Sequence, residues 1–294
     1  MRVFHSLHKK QGFLLLELLI SLLVLMVLMQ LLLPLLINAR NQALNKTRLL
    51  DQEVLKSALV DHFQSQLSPI FWRGCDNASV FEFEIGPWDA VLPARISHKT
   101  LVEKSDWLTA SLKAVCSYPI EMTSLTPSVA FSCDWDAGDE VIFSSCEGAS
   151  VGVINEVSSN ATEFSFGDDE LLNQSGFVYS VSGFSWYLAP GKSDLAFWRT
   201  PSLSGNSLEL WDGIQIMSIY PLLDEDLNGT WDALDTRYGR YSTTQLKGLW
   251  FELLVSQGDC NQQAQSIQAD YVNQRGVTWS YHPRCEFVIS FVVN

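Results

Sequence analysis

Apolar residues fill almost the whole chain between residues 13 and 37. This run is interrupted only by Glu17, Ser21, Gln30 and Pro34. As a helix rising about 1.5 Å per residue it would be roughly 37 Å long, which is enough to cross a hydrocarbon core of about 30 Å. The pattern therefore predicts a membrane-spanning helix or a cleaved export signal.

The following stretch, residues 38–67, contains no glycine or proline, and its apolar residues recur at helical spacing. The main stripe consists of Leu55, Leu59, Phe63 and Leu67. Residues four positions apart lie on one face of a helix. We therefore expect residues 13–67 to form one long helix, with residues 13–37 in the membrane and residues 38–67 packed on a globular body.

Beyond Pro69 the chain alternates apolar and polar residues instead. The alternating stretches are residues 79–85, 128–135, 139–146, 151–157, 176–188, 213–220, 246–255 and 285–293. A period of two, with many Val, Ile, Phe and Tyr residues, predicts antiparallel strands with one solvated face. We expect an α+β fold in which the long helix packs on a β-rich head, residues 68–294. The head is expected to contain two sheets, divided near residues 172–176.

Composition and charge narrow the functional classes. Apolar residues make up 47% of the chain and aromatic residues 12%, which is sufficient for a packed core and excludes general disorder. The head, residues 68–294, holds 12 basic and 29 acidic residues, a net charge of −17. Because such a surface repels phosphate backbones, we expect no nucleic-acid binding.

All six cysteines follow the apolar run. They are Cys75, Cys116, Cys133, Cys146, Cys260 and Cys285. No C-x-x-C pair occurs, and an even number beyond an export segment indicates disulfides in an oxidising compartment. The sequence leaves their connectivity open. We expect neighbours in sequence to pair, because Cys133 and Cys146 flank one hairpin-like stretch and Cys260 and Cys285 bracket the last loop.

The residues around the start of the apolar run have an unusual order. A secretory signal carries its small-residue cleavage site after the apolar stretch, whereas Gly12 precedes it here, behind Lys9 and Lys10. Basic residues before the run also place the N-terminus in the cytoplasm and the body across the membrane. Glu17 lies inside the run, where a carboxylate costs about 3 kcal/mol. Either Glu17 has a functional partner, or it is tolerated in the headgroup layer.

These residues together resemble the class III prepilin signal of type IV pilins and type II secretion pseudopilins. The matching positions are Lys9, Lys10, Gly12, Phe13, Glu17 and the helix-bending Pro34. The resemblance implies that a prepilin peptidase cleaves after Gly12, removing residues 1–12, and that Phe13 is N-methylated. It also implies that the new amino terminus of one subunit pairs with Glu17 of a neighbouring subunit during assembly, an interaction that low dielectric strengthens.

Two later stretches are similar to PilW-type minor pilins. They are residues 136–157, where a cysteine and small residues separate two apolar strands, and residues 185–232, where a strand precedes an Asp-rich loop. The resemblance implies a minor pilin that primes pilus assembly and sits at the tip. Its implied partners are other minor pilins, the major pilin and an inner-membrane assembly platform. The implied location is the bacterial inner membrane, with the head in the periplasm, and then the pilus fibre at the cell surface.

Two other assignments stay open. The J-type minor pseudopilin of type II secretion shares the general plan of the PilW-type proteins. A membrane-anchored periplasmic binding protein or hydrolase belongs to a different class. For the hydrolase, residues 148–152 match G-x-S-x-G around Ser150, but a strand is predicted after Ser150 where a nucleophile elbow needs a helix. The ten tryptophans are scattered, so we expect most to be core or interface anchors. We expect no enzymatic turnover.

The loop after Tyr220 fits the pattern D-x-[DN]-x-[DN]-G with an acid at the twelfth position, which is typical of calcium loops. The expected oxygen ligands are Asp224, Asp226, Asn228, the Thr230 carbonyl, Asp232 and Asp235. Two features depart from the pattern: an Asp replaces the usual last Glu, and no clear helix flanks the loop. The alternative is a solvated acidic turn. Any calcium here is expected to have a structural role.

Overall fold

The computed structural model describes residues 9–71, 82–130, 133, 135–158, 160–202, 204–242, 244–256 and 268–294. Within them lie one α-helix, α1 (Lys9–Leu67), and sixteen strands. The first eight strands are β1 (Glu82–Pro87), β2 (Asp106–Glu121), β3 (Ser128–Val129), β4 (Glu140–Ser145), β5 (Ala149–Val157), β6 (Thr162–Phe166), β7 (Ser175–Pro190) and β8 (Leu195–Pro201). The others are β9 (Leu208–Asp212), β10 (Ile214–Leu223), β11 (Ala233–Leu234), β12 (Gly239–Ser242), β13 (Leu246–Ser256), β14 (Ala269–Val272), β15 (Thr278–Tyr281) and β16 (Glu286–Val293). The expected α+β layout is confirmed.

Helix α1 is continuous over 59 residues and contains Pro34 in its interior. Its most apolar window has a mean hydropathy of 2.8, and its apolar side chains from Leu16 to Ile37 are exposed. Among the described residues it is the one helix long and apolar enough to cross a membrane. The chain divides into two compact units, Met1–Leu59 and Val60–Asn294.

The head is built around the antiparallel pair β2 and β7, each 16 residues long. At about 3.3 Å per residue these strands extend roughly 50 Å. The first half of β7 pairs with β4, which continues to β5, β6 and β3, while its second half pairs with β8 and then β9. On the other side of β2 lie β1 and β12. Together they form a ten-stranded sheet.

The division between sheets lies further along the chain than the sequence pattern suggests. Strand β4 pairs with β7 up to Ser145 opposite Gly176, so the strands before and after residues 172–176 share one sheet. A second sheet, in the order β11-β10-β13-β16, begins at Ile214, and β14 pairs with β15 in a third. The described head therefore has three sheets rather than the expected two.

The last two turns of α1 pack inside the head. The ring of Phe63, which is fully buried, stacks on Phe197 of β8 with centroids 4.4 Å apart. It also meets Phe251 of β13 at 5.1 Å and Phe291 of β16 at 5.5 Å, both edge to face. Phe63 thus joins the ten-stranded and four-stranded sheets. The predicted packing of the apolar stripe is confirmed for Phe63 and for the equally buried Leu67.

Candidate functional site

The residues with predicted roles in processing and assembly lie near the start of α1. Gly12 and Phe13 belong to its first turns, and Glu17 follows one turn later with its side chain on the exposed helix surface. From Gly12 to Ala39 the sequence contains no lysine or arginine. A cation for Glu17 therefore cannot come from this part of its own helix.

The acidic loop after β10 closes around Asp224, which is fully buried. Its carboxylate accepts the backbone N–H groups of Asn228 at 3.0 Å and Gly229 at 2.9 Å, and Lys247 Nζ lies 3.0 Å away. Burial by itself raises the pKa of Asp224, but Lys247 and the two N–H groups outweigh it and hold the pKa below its usual range. The Asn228 side chain accepts both the N–H and the hydroxyl of Thr230. The loop is thus closed by its own hydrogen bonds.

The structure brings together part of the predicted calcium ligand set. Carboxylate oxygens of Asp224, Asp226 and Asp232 lie within 4.8 Å of one another. Asp235 is not in this group: both of its oxygens bind Arg237, whose hydrogen bonds hold the pKa of Asp235 low. The reason is that residues 233 and 234 form β11, which pairs with the end of β10. The chain has therefore already left the acidic loop when it reaches Asp235. The structure therefore does not bring Asp235 together with the other three carboxylates, and calcium binding by this loop stays a prediction.

The four cysteines that the structure describes are all disulfide-bonded, and one of the bonds differs from the expected pairing. Cys116 is bonded to Cys133, with Cα atoms 6.0 Å apart, and Cys146 and Cys285 are also disulfide-bonded. Pairing of Cys133 with Cys146 is therefore wrong. Strand β4 lies between these two cysteines and separates them by about 3.3 Å per residue. Cys75 and Cys260 lie outside the described residues.

Ser150 and several of the tryptophans, which bear on the alternative of an anchored hydrolase or binding protein, lie on strands of the head. Ser150 lies on β5 opposite Phe143, and its hydroxyl donates to the Val151 carbonyl at 3.5 Å. The segment after it is a strand, so the strand–turn–helix geometry of a nucleophile elbow is missing there. The tryptophans buried in the core are Trp107, Trp135, Trp186 and Trp279. Four of the ten tryptophans are thus core anchors, whereas Trp88 and Trp231 are exposed.

A buried polar cluster joins all three sheets, and no local sequence pattern indicates it. The guanidinium of Arg275, on the turn between β14 and β15, lies between the rings of Tyr220 and Tyr238, 4.3 and 4.1 Å from their centroids. It binds Asp106 Oδ2 at 2.5 Å and donates to the Ile219 carbonyl at 2.6 Å. Asp106 also accepts the Ile219 N–H at 2.7 Å and the Tyr238 hydroxyl at 2.9 Å. Burial raises the pKa of Asp106 to about 6, although Arg275 opposes this.

A second buried carboxylate, Glu252 on β13, extends this cluster. It accepts the hydroxyls of Tyr220 at 2.8 Å and Tyr271 at 2.7 Å, together with the Gln274 N–H at 3.2 Å. Burial, followed by the contact with Glu252, raises the pKa of both tyrosines. Because each buried charge has several partners, the cluster is consistent with a structural role.

Comparison with protein-family models, curated proteins and solved structures finds no match to this chain. The functional inference therefore rests on the residues of the chain itself.

Proposed function

We propose that this protein is a minor pilin of a type IV pilus, similar to the PilW-type proteins. Helix α1 holds it in the bacterial inner membrane, with the head in the periplasm, until it is incorporated into the fibre. With other minor pilins and the major pilin it primes assembly on the inner-membrane platform, and it sits at the tip. It turns over no substrate.

One observation carries this proposal: the Gly12-Phe13 junction lies at the start of an apolar helix that bears Glu17 and continues without a break to Leu67, inside the head. An ordinary membrane anchor needs neither a carboxylate in its apolar part nor a helix that ends in the core of its soluble domain. A subunit that packs by its helix in a fibre needs both.

The charge pattern supports pairing between subunits. Glu17 has no basic residue on its own helix between Gly12 and Ala39. Cleavage after Gly12 creates an α-amino group on Phe13, four residues from Glu17 in sequence. In a low-dielectric environment an amino terminus and a carboxylate of adjacent subunits attract strongly, which compensates for the cost of placing Glu17 in lipid.

The size of the head favours a rare subunit. Its largest sheet has ten strands, and two further sheets pack with it in the unit from Val60 to Asn294. Such a head fits poorly in every layer of a tightly packed shaft, but it can be carried at a tip. The J-type pseudopilin of type II secretion is the second candidate, and the resemblance of the N-terminal residues favours both equally.

The test is mass spectrometry of the native chain from membranes and from filaments sheared off the cell surface. We expect a chain that begins with N-methylated Phe13 in both fractions. Its presence in membranes with no surface filaments would favour the secretion system. A chain that retains Met1, or one cut after residue 37, would contradict both pilin assignments.

A matched pair of variants tests the role of the carboxylate. Glu17→Gln keeps the size and removes the charge, so we expect normal cleavage but loss of incorporation into filaments. Glu53→Gln, in the second half of the same helix, is the control and is expected to assemble normally. Equal incorporation of the two variants would refute pairing through Glu17.

A further inference from the structure

A cleft of about 460 Å³ opens on one face of the ten-stranded sheet, where β12, β1, β2 and β7 lie side by side. Each strand contributes a polar residue to its lining, namely Arg240, Glu84, Thr109 and Ser185, and β2 also contributes Trp107. These residues lie opposite one another in the strand register, so they form a polar row across the sheet. The volume is in the range of about 300–1,000 Å³ that is usual for small-molecule sites.

Hydroxyl groups form the floor of the cleft. Thr109 Oγ1 and Ser185 Oγ are hydrogen-bonded at 3.1 Å, and Ser202 lines the cleft beside them. Ser202 reaches this position because residue 183 is a glycine: a Cβ there would lie 2.4 Å from Ser202 Oγ. Hydroxyls both donate and accept hydrogen bonds, so this floor suits a ligand that also carries hydroxyl groups.

Two arginines give the cleft a local positive charge. Arg95 Nε donates to the Pro201 carbonyl at 3.3 Å and Nη2 donates to the Gly205 carbonyl at 2.7 Å, which hold the guanidinium in place without neutralising it. In the described part of the chain no carboxylate lies within ion-pair distance of Arg95. Arg240, in contrast, pairs with Glu84 at 3.2 Å. The cleft thus carries one net positive charge in a head whose net charge is −17.

The remaining wall is largely apolar. It is formed by residues 91–94, of which Val91 is 94% exposed. An apolar wall beside a hydroxyl floor matches the two sides of a pyranose ring, which has a C–H face and a hydroxyl edge. A single uncompensated guanidinium matches one carboxylate, whereas the strongly negative head as a whole repels polyanions.

We propose that this cleft binds a sugar acid, a pyranose that carries one carboxylate. The carboxylate binds Arg95, the sugar hydroxyls bind Thr109 and Ser202, and the C–H face packs on the wall of residues 91–94. The ligand is either a free sugar acid or the terminal residue of an acidic polysaccharide, because both present the same chemistry.

The proposal is tested by calorimetric titration of the full-length chain in detergent with D-galacturonate, its linear trimer and the neutral D-galactose. We expect galacturonate to bind at least about tenfold more tightly than galactose, because only galacturonate forms the charge-assisted bond. Equal or tighter binding of the trimer identifies a polysaccharide end, and binding of the monomer alone identifies a free sugar acid. Absence of galacturonate binding, or equal binding of galactose, would overturn the proposal.

Two variants test the site itself. Arg95→Gln is expected to weaken galacturonate binding about tenfold. Since this change also removes hydrogen bonds to two carbonyls, Val91→Asp provides a second test: it adds a negative charge at an exposed rim position and is expected to weaken binding similarly. Arg237→Gln is the control, because it removes one exposed, paired arginine outside the cleft. Unchanged affinity in both cleft variants, with folding confirmed by circular dichroism, would refute the site.

Discussion

Replacement of Phe63 by alanine tests whether the end of α1 is part of the head's core. The ring is fully buried and contacts three other phenylalanines, one on the ten-stranded sheet and two on the four-stranded sheet. A buried Phe→Ala change costs about 3–5 kcal/mol, of which the ring pairs supply about 0.5–1.5 kcal/mol each. Because Phe63 bridges two sheets, little local collapse can fill the cavity, and we expect a loss near the upper end.

The measurement is urea unfolding of the full-length chain at constant detergent and pH 7, followed by tryptophan fluorescence. With a slope of about 2–3 kcal/mol per molar urea, the midpoint is expected to fall by about 1.5–2.5 M. Phe63→Leu keeps much of the volume but loses the ring contacts. Its unfolding midpoint is expected to lie between those of the native chain and Phe63→Ala. Asp61→Ala, at an exposed position on the same turn, is the control and changes stability by less than about 0.5 kcal/mol. A midpoint for Phe63→Ala equal to that of Asp61→Ala would show that the helix end does not stabilise the head.

Two further predictions concern charged groups. Burial raises the pKa of Asp106 to about 6, above the value of about 4 in an unfolded chain. The folded chain therefore binds this proton more tightly than the unfolded chain does. The resulting contribution of Asp106 to stability is complete below pH 4 and is lost as the pH rises through 6. Relative to Asp106→Asn, the native chain should therefore lose up to about 3 kcal/mol of unfolding free energy between pH 4 and 7. The measurement is urea unfolding of both chains at each pH. Unfolding free energies that change in parallel with pH in the two chains would contradict this prediction. Millimolar calcium should raise the melting temperature of the native chain and of Asp235→Asn but not of Asp226→Asn. No shift in the native chain would identify the loop as a hydrogen-bonded turn alone.

The elements of this fold were predictable where a local period specifies them. The long helix ends at Leu67 as its apolar stripe indicates, and strands such as β7 and β13 follow the alternating stretches closely. Strand β2 is not among the predicted stretches, although Leu108 and Ala110 alternate with Thr109 and Ser111. The period of two that specifies this strand is therefore present in the sequence.

Strand pairing could not be predicted in the same way. Strand β12 pairs with β1, although Arg240 lies 156 residues after Glu84, and Arg275 meets Asp106 across 169 residues. A repeat of two residues shows which side chains share a face but not which strand lies beside it. For the same reason the polar row of the cleft cannot be predicted from the sequence, because its four residues come from four different strands. The separation of Asp235 from the other three carboxylates has this cause too, since the turn back at β11 depends on its pairing with β10.

The position of Arg275 near the end of the chain affects when the head can fold. Its partner Asp106 lies 169 residues earlier, so the buried charge of Asp106 has no cation until the β14–β15 hairpin has emerged. Contacts between such distant residues also form slowly. On the proposed function, the apolar part of α1 is synthesised first and enters the bilayer long before this contact is made. The proposal therefore implies that the head matures on a tethered chain, which confines its partly folded states to the membrane surface and keeps them apart from one another.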